Sequence, residues 1–545
     1  MEDEVETPAP EVHGSPDALT AGTYEVLRDR LRTDAEELAR RAETLNARRV
    51  AEFGGSGARL AGTGHIRTEQ DCVPRAIVHI GGMLLFGSHV PLGRGTGTGV
   101  GDVFSLQHFE FTEFTEFTES DESDGQDAGG GGAAVRFRAA PQDSVPGLLD
   151  DPAFRRDFAE LYRYYRETRL LQLRLARSHL LAVFQTGNAL TDIRVLRWRV
   201  APDGSVAYVD DRGERDHAFR PAHDVEWTAA TRADHVQGRH PHVSVRGLVF
   251  VACAGGALTL KAEDSTDTGA GIYSEPVDEP LQSLADAEID YAVVGPLVLL
   301  RILPYNEKTR RHLVYNTRTA EVVRLDGLGT ACRRLPEEQG VIFPGGYYLA
   351  DVPAGSAART FDTETKDLEY EGLVRSPNGE DVLYVFHARA EGRTLLLPYN
   401  VIRKEVAARW QTHGWSLRDD GTMVVFRTAA GGEPTRVHPV QVWRTPYVSD
   451  AYAAARPAGT GPLARIGNAE LVRGVSDCLS VARMADGMAP NGTVFEAIVA
   501  AATRVADRHH WLGETASGDL AEPLAAVRTT AAQVIDEFER VEELR

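Results

Sequence analysis

Cysteine is scarce in this chain of 545 residues: Cys72, Cys253, Cys332 and Cys478 are the only four, and no two form a C-x-x-C. That spacing argues against a metal knuckle and fits scattered buried thiols in a reducing cytoplasm. A run of about 18 apolar residues is also missing, so no segment reads as a membrane span. The first residues, Met1-Glu-Asp-Glu-Val-Glu-Thr-Pro8, are acidic and polar, the opposite of a secretory leader. Positive charge is in deficit, with a formal net charge of −21. Bulk electrostatics therefore cannot coat nucleic acid, although a local basic face is not excluded. Catalytic signatures are absent too. There is no G-x-S-x-G elbow, no H-E-x-x-H, and no G-x-G-x-x-G between a strand and a helix. Gly93-Arg-Gly-Thr-Gly-Thr-Gly-Val-Gly101 has the look of a phosphate loop. It is followed by Asp102-Val103, where such a loop needs Lys and Ser or Thr.

What is present is a repeat. Tyr315-Asn316 is followed by Glu321-Val322, and Tyr399-Asn400 by Glu405-Val406, at identical spacing. A looser copy runs from Phe361-Asp362 to Leu368, and a fourth apolar strand covers Val440 to Trp443. Turns precede the apolar runs: Pro344-Gly345-Gly346, Pro377-Asn378-Gly379 and Asp419-Asp420-Gly421. Turns of this kind join antiparallel neighbours. A period of about 40 to 45 residues is propeller-blade spacing. The fold expected is mainly β with helical ends: a propeller-like repeat domain of about five to seven blades between helical, coiled-coil segments. Without WD or kelch signatures, an ordinary antiparallel meander is the alternative. Blades would begin near residues 76, 180, 245, 293, 340, 380 and 420.

In order, residues 1–22 read as a disordered tail and 23–53 as an amphipathic or coiled-coil helix. The helix carries Leu27, Leu31, Ala35, Leu38, Ala42 and Leu45 at three- and four-residue steps, a stripe for its own domain or for a partner helix. A β domain spans 70–450, with a disordered insert at 109–134 and a helical insert at 151–178. The first insert holds Phe109, Phe111, Phe114 and Phe117 in a Phe-Thr-Glu repeat, a solvated loop or a docking element for a partner. The second opens on Asp151-Pro152, an N-cap followed by proline at the first helical position. Residues 466–545 are helical. Asp519 and Glu522 suggest a capping box there, followed by an a/d seam of Leu520, Leu524, Val527, Ala531, Val534, Phe538 and Val541. No C-cap precedes Arg545, so the helix reads as cut rather than finished. Val534-Ile535-Asp536-Glu537 imitates the end of a Walker B strand but sits inside that seam.

Two constellations could carry chemistry. His217, His223, Asp224, Glu226, Asp234, His235, His240 and His242 gather potential ligands, and His240 and His242 would share a strand face as metal ligands often do. Loop histidines that cap strands account for the same residues. Arg155, Arg163, Arg166 and Arg169 interleave with Tyr162 and Tyr164, a pattern able to hold phosphates or stack on bases. The alternative is an arginine face paired with the chain's own carboxylates.

Several stretches resemble a family of large bacterial proteins labelled DNA repair ATPases. They include Val145-Pro-Gly-Leu-Leu-Asp-Asp-Pro-Ala-Phe154, Leu161-Tyr-Arg-Tyr-Tyr165, Gly238-Arg-His-Pro-His-Val243, Tyr273-Ser-Glu-Pro-Val-Asp-Glu-Pro280 and Arg375-Ser-Pro-Asn-Gly-Glu-Asp-Val-Leu-Tyr384. The likeness covers nearly everything from Thr23 onward except the Phe-Thr-Glu insert. It implies a β-rich, coiled-coil N-terminal region that long coils join to an AAA-type ATPase module, and this chain is similar to the N-terminal region. No G-x-x-x-x-G-K-[ST] occurs, so no ATP-site residue carries over, and ATP and Mg²⁺ are expected only for the absent C-terminal module. Three functions follow: a docking module with protein partners through the propeller face and coiled coils, oligomeric and linked indirectly to DNA; a metal-dependent hydrolase on the His223–His242 cluster; and a nucleic-acid binder on the arginine helix.

Overall fold

The computed structural model describes residues 16–543 apart from 92–96, 113–133, 219, 429–431, 488 and 490. The tail up to residue 15, residues 93–96 of the glycine-rich loop, and Phe114 and Phe117 of the insert lie outside the described residues. Within them the helices are α1 (Pro16–Phe53), α2 (Val100–Val103), α3 (Pro152–Tyr164), α4 (Asp450–Ala454), α5 (Asn468–Gly487), α6 (Gly492–Arg508) and α7 (Ala521–Glu543). No helix among them is long and apolar enough to cross a membrane.

Between the helical ends lie antiparallel sheets, named A to F in chain order. Sheet A has seven strands, in the order Gly414–Leu417, Thr422–Phe426, Thr435–Arg444, Arg59–Ile80, Met83–His89, Phe104–Thr112 and Ala134–Ala140. Its long strand Arg59–Ile80 serves two ladders. The first half pairs with Thr435–Arg444, so the two ends of the β region close on each other, and the second half pairs with Met83–His89. Gly81 and Gly82 make that hairpin turn with φ of 57° and 78°, the left-handed pair a two-residue turn requires. Sheet B runs from Arg169–Ala176 to Val206–Asp210, and sheet C from His235–Val236 to Tyr273–Pro276. Sheet D adds the short strand Thr228–Ala229 to the run from Glu288–Val294 to Glu321–Arg324. Sheet E spans Arg333–Arg334 to Ala358–Thr360, and sheet F spans Glu369–Arg375 to Trp410–Thr412.

Middle strands such as Arg311–Asn316, Asp381–Ala388 and Thr422–Phe426 are buried at every position. A strand buried on both faces reads as a continuous apolar run, because neighbouring sheets cover each side. Hydrophobic clusters join C to D, D to E, E to F, F to A, the two halves of A to each other, and A to B. The linker from B to C runs across the strand starts. Arg174 donates to Ala218 O, Arg333 donates to Pro221 O, and His223 bridges to Cys332.

The two best copies of the repeat take one form. Tyr315 pairs with Val322 and Asn316 with Glu321; Tyr399 pairs with Val406 and Asn400 with Glu405. In each hairpin the Asn Oδ1 accepts from backbone amides in the turn, and the residue before Glu has a left-handed φ, 53° at Ala320 and 52° at Lys404. Both hairpins also converge on Asp351, through Arg318 Nη1 at 2.8 Å and Lys404 Nζ at 2.8 Å.

Helices α1, α5, α6 and α7 bury one core together. The stripe of α1 (Leu31, Ala35, Leu38, Ala42, Leu45) and the seam of α7 (Leu524, Val527, Ala531, Val534) are both consumed in it, each residue at most 2% exposed. The two seams thus meet inside one chain, and packing on the chain's own domain takes the place of a partner coil. The bundle rests on the repeat hairpins: Asn491 donates to Arg318 O, Arg483 to Ile402 O, and Ser476 to Val401 O.

Several boundaries differ from expectation. Helix α1 begins at Pro16, and strand pairing begins at Arg59 rather than 70. Phe109 and Phe111 belong to a strand paired with Val135 and Phe137, so the ladder continues to Thr112. Asp151 caps α3 through Ala153 N and Phe154 N as expected, but the helix stops at Tyr164 and Arg169–Ala176 is a strand. Its Leu171-Gln172-Leu173-Arg174-Leu175 alternates with period two, which a helix would not use. Helix α7 starts at Ala521, and Asp519 has a φ of 51° rather than an extended cap conformation. Glu537, in the Walker-like stretch, is 7% exposed on α7 and accepts from Arg540.

Candidate functional site

First strands of successive sheets converge on a cavity of about 320 Å³. Arg75 to Val78 comes from the long strand of A, Leu171 to Leu175 from B, Glu371 to Val374 from F, and Gly414 to Leu417 from the other half of A. Leu171, Leu173 and Leu373 supply apolar wall. Arg75, Arg174, Arg220 and Glu371 supply charge, and His387 and His413 supply imidazoles. Exposed Arg220 marks the side open to solvent.

Polar pairing in the cavity is incomplete. Arg75 Nη1 reaches Glu391 O at 3.5 Å, while its buried Nε has no partner. Burial, reinforced by Arg169, lowers the affinity of this guanidinium for its proton. Glu371 Oε1 accepts from Gln172 Nε2 at 3.0 Å and lies 3.8 Å from Arg174 Nε, while Oε2 is buried without a donor. His387 is 3% exposed, pairs through Nδ1 with Thr394 Oγ1 at 2.9 Å, and is held neutral by burial. Burial, helped by Arg427 and Arg75, pushes His413 down to about 4, and its Nδ1 accepts from Thr428 N. His89, beside Arg75 and Arg169, falls to about 4 for the same reason. With these imidazoles neutral, three arginines face one carboxylate, a positive site in a chain of net charge −21.

A larger polar crevice of about 690 Å³ separates the bundle from the body. Arg318, Glu337, Asp351, Asp477 and Arg508 are paired there, and Glu338 and Arg504 add one further charge of each sign. Arg508 pairs with Glu337 at 3.0 Å and Asp477 at 3.4 Å, and Arg318 pairs with Asp351. His509, 1% exposed, lies between Glu470 and Asp477 at 2.7 and 2.8 Å. Burial alone would lower its pKa, but the two carboxylates outweigh that and raise it. The crevice is a polar junction in which most of the charges are paired.

The expected ligand cluster is dispersed. His242 is buried on sheet C, with Nε2 2.8 Å from Asp264 and its ring against Phe250. His235 pairs with Val243 in the same sheet, and His240 N donates to Thr266 O. Asp234 caps a short turn by accepting from Thr231 N. His223 and Asp224 lie instead over sheet E, where Asp224 accepts from Arg334 N, and Glu226 is exposed. His217 is buried beside Arg174, Arg389 and His387, and burial takes it down to about 4. Among the described residues no three His, Cys, Asp or Glu side chains are placed to hold a metal ion. All four cysteines are free and buried, and burial raises the thiol pKa of each.

The arginine set divides as well. Arg155 is tied to Leu149 O and Gln142, Arg163 stacks on Tyr164, and Arg166 is exposed. Arg169 is on the first strand of B and bonds to Gln185. The cavity residues Arg75, Glu371, His387 and His413 were not among the sequence candidates. Arg75 and His387 stand out as polar residues in apolar runs, whereas Glu371 and His413 stand in mixed sequence that carries no such signal.

Residues 37–510 match the model of a family described as an ATPase involved in DNA repair. The chain belongs to that family. The matched span contains the whole β body, the cavity, and helices α5 and α6, with the second part of α1. No curated protein matches the chain. Among solved structures it is similar to the Dos1 propeller, at 11% identity over 71% of this chain and 96% of that one, with a TM-score of 0.19. It is similar to a chain from work on two prolyl endopeptidases at 12% identity, covering 78% and 52%, with a TM-score of 0.17. An oligogalacturonate lyase from Vibrio parahaemolyticus shows 10% identity, covering 46% and 67%, with a TM-score of 0.13.

Proposed function

We propose that this member of the DNA-repair ATPase family is a binding and regulatory module that performs no ATP chemistry itself. On this reading the seven-stranded sheet A is two blades sharing Arg59–Ile80, which makes seven blades with B to F. The body receives a protein partner, and the bundle passes the event on to an ATPase module. ATP and Mg²⁺ would act on that module, since these residues contain no G-x-x-x-x-G-K-[ST].

The observation that carries the reading is the seating of the bundle. It draws helices from both ends of the chain and rests on sheets E and F of the body through buried polar contacts: Arg49 to Glu380, Gln339 to Ser476, and Ser476 to Val401 O. Such contacts define one docking geometry, because a displaced bundle would leave each partner buried and unpaired.

The test is turnover. The purified chain should hydrolyse no ATP, and added to an ATPase module from the same family it should change that module's rate at least about twofold, an energetic effect of about 0.4 kcal/mol or more. ATP hydrolysis that stays with the chain through further purification, or no effect on the module at saturating chain, would overturn the proposal.

A further inference from the structure

We propose that the cavity between the first strands of sheets A, B and F binds a small oxyanion-bearing molecule, with Arg75 and Arg220 meeting the anionic group and Glu371 accepting from a donor on the same molecule. The inference concerns the body's own ligand and goes beyond the module reading; either can fail without the other.

Three observations converge. The volume, about 320 Å³, lies at the lower end of the range for small-molecule sites, roughly 300 to 1,000 Å³. Apolar walls with a few convergent polar groups are the usual makeup of such sites. Next, the polar groups are unsatisfied in a complementary way. Arg75 Nε is a buried donor lacking an acceptor, and Glu371 Oε2 is a buried acceptor lacking a donor. A molecule bearing an oxyanion and a hydroxyl or ammonium group supplies both, and buried polar atoms left unpaired are costly enough to need such an explanation. Finally, the sign of the charge is selective. Arg75, Arg174 and Arg220 against Glu371 leave the lining positive, while His387 and His413 are held neutral and add no charge of their own. Guanidinium groups pair with carboxylate and with phosphate through the same planar fork, so the shared chemistry is an oxyanion.

Calorimetric titration of the full chain with inorganic phosphate, glycerol 3-phosphate and L-glutamate tests this, with sodium chloride at matched ionic strength as control. At least one probe should bind saturably with a Kd below about 1 mM, the weak end of specific association. Binding by the two phosphates alone assigns a phosphate ligand, and binding by glutamate alone a carboxylate. Arg75→Met should weaken the best probe at least tenfold. Arg220→Met, at the exposed edge, should weaken it several-fold and serves equally if Arg75→Met fails to fold. Glu371→Gln should weaken glycerol 3-phosphate or glutamate more than inorganic phosphate. The proposal is overturned if none of the three probes binds saturably at about 10 mM, or if the best probe binds Arg220→Met and the folded Arg75→Met variant as tightly as the parent chain.

Discussion

Arg49 and Arg75 are both arginines drawn into the interior, and they end in opposite states. Arg49, on α1, has no exposed surface, and its fork is filled: Nε to Asn46, Nη1 to Asn468, Nη2 to Glu380 at 2.7 Å. Glu380 also accepts from Asn400, the repeat asparagine, so the pair ties both ends of the bundle to the repeat. Arg75 has a buried Nε with no acceptor and one long contact to a carbonyl. A matched buried charge fixes how two pieces of the fold sit. An unmatched one, beside a cavity, is set up to meet something else.

Breaking the matched pair should have the largest effect. Arg49→Ala leaves the Glu380 carboxylate buried and unpaired, and should cost about 3–5 kcal/mol in urea unfolding. Lys404→Met removes one of the two cations on Asp351, Arg318 remaining, and should cost about 1–3 kcal/mol by the same measurement. The histidines should sharpen the contrast through pH. His509, with its pKa raised by paired carboxylates, contributes stability that is full below about pH 6.5 and lost as pH rises through its folded value. His413, held down at about 4, does the reverse: its contribution is present above about pH 6.5 and is lost as pH falls toward 4. Stability curves of His509→Gln and His413→Gln against the parent should therefore diverge with opposite slopes. The smallest effect is expected at Arg75→Met, within about 1 kcal/mol of the parent and on the stable side, because it removes a half-buried guanidinium whose Nε has no acceptor.

Much of the β body was legible from second and third strands. Val382 to Phe386, Met423 to Phe426 and Leu180 to Phe184 are packed between sheets on both faces and so appear as apolar runs bounded by turns. The first strands are harder to see, and they line the cavity. Arg169–Ala176 follows a helix directly and reads as its continuation, while Glu369–Arg375 and Gly414–Leu417 are short and mixed in polarity. A strand facing a polar cavity has no reason to carry an unbroken apolar pattern, so apolar patterning passes over the site. The His223 to His242 cluster fails for the complementary reason. Closeness along the chain suggests closeness in space, but the linker crosses from sheet E to sheet C and carries the two halves apart.

The sequence by itself determined what depends on neighbours along the chain: the Asp151 cap, the Gly81-Gly82 turn, the two equivalent Asn-to-Glu hairpins, and the apolar stripes of α1 and α7. These rest on backbone dihedrals and periodicity, which a few residues set locally. Only the tertiary structure decided that the two stripes meet each other, that Arg49 finds Glu380, and that Arg75 and Glu371 border one cavity. Residues hundreds of positions apart are brought together by the packing of whole sheets, and a charge becomes a lock or a site according to what that packing places beside it.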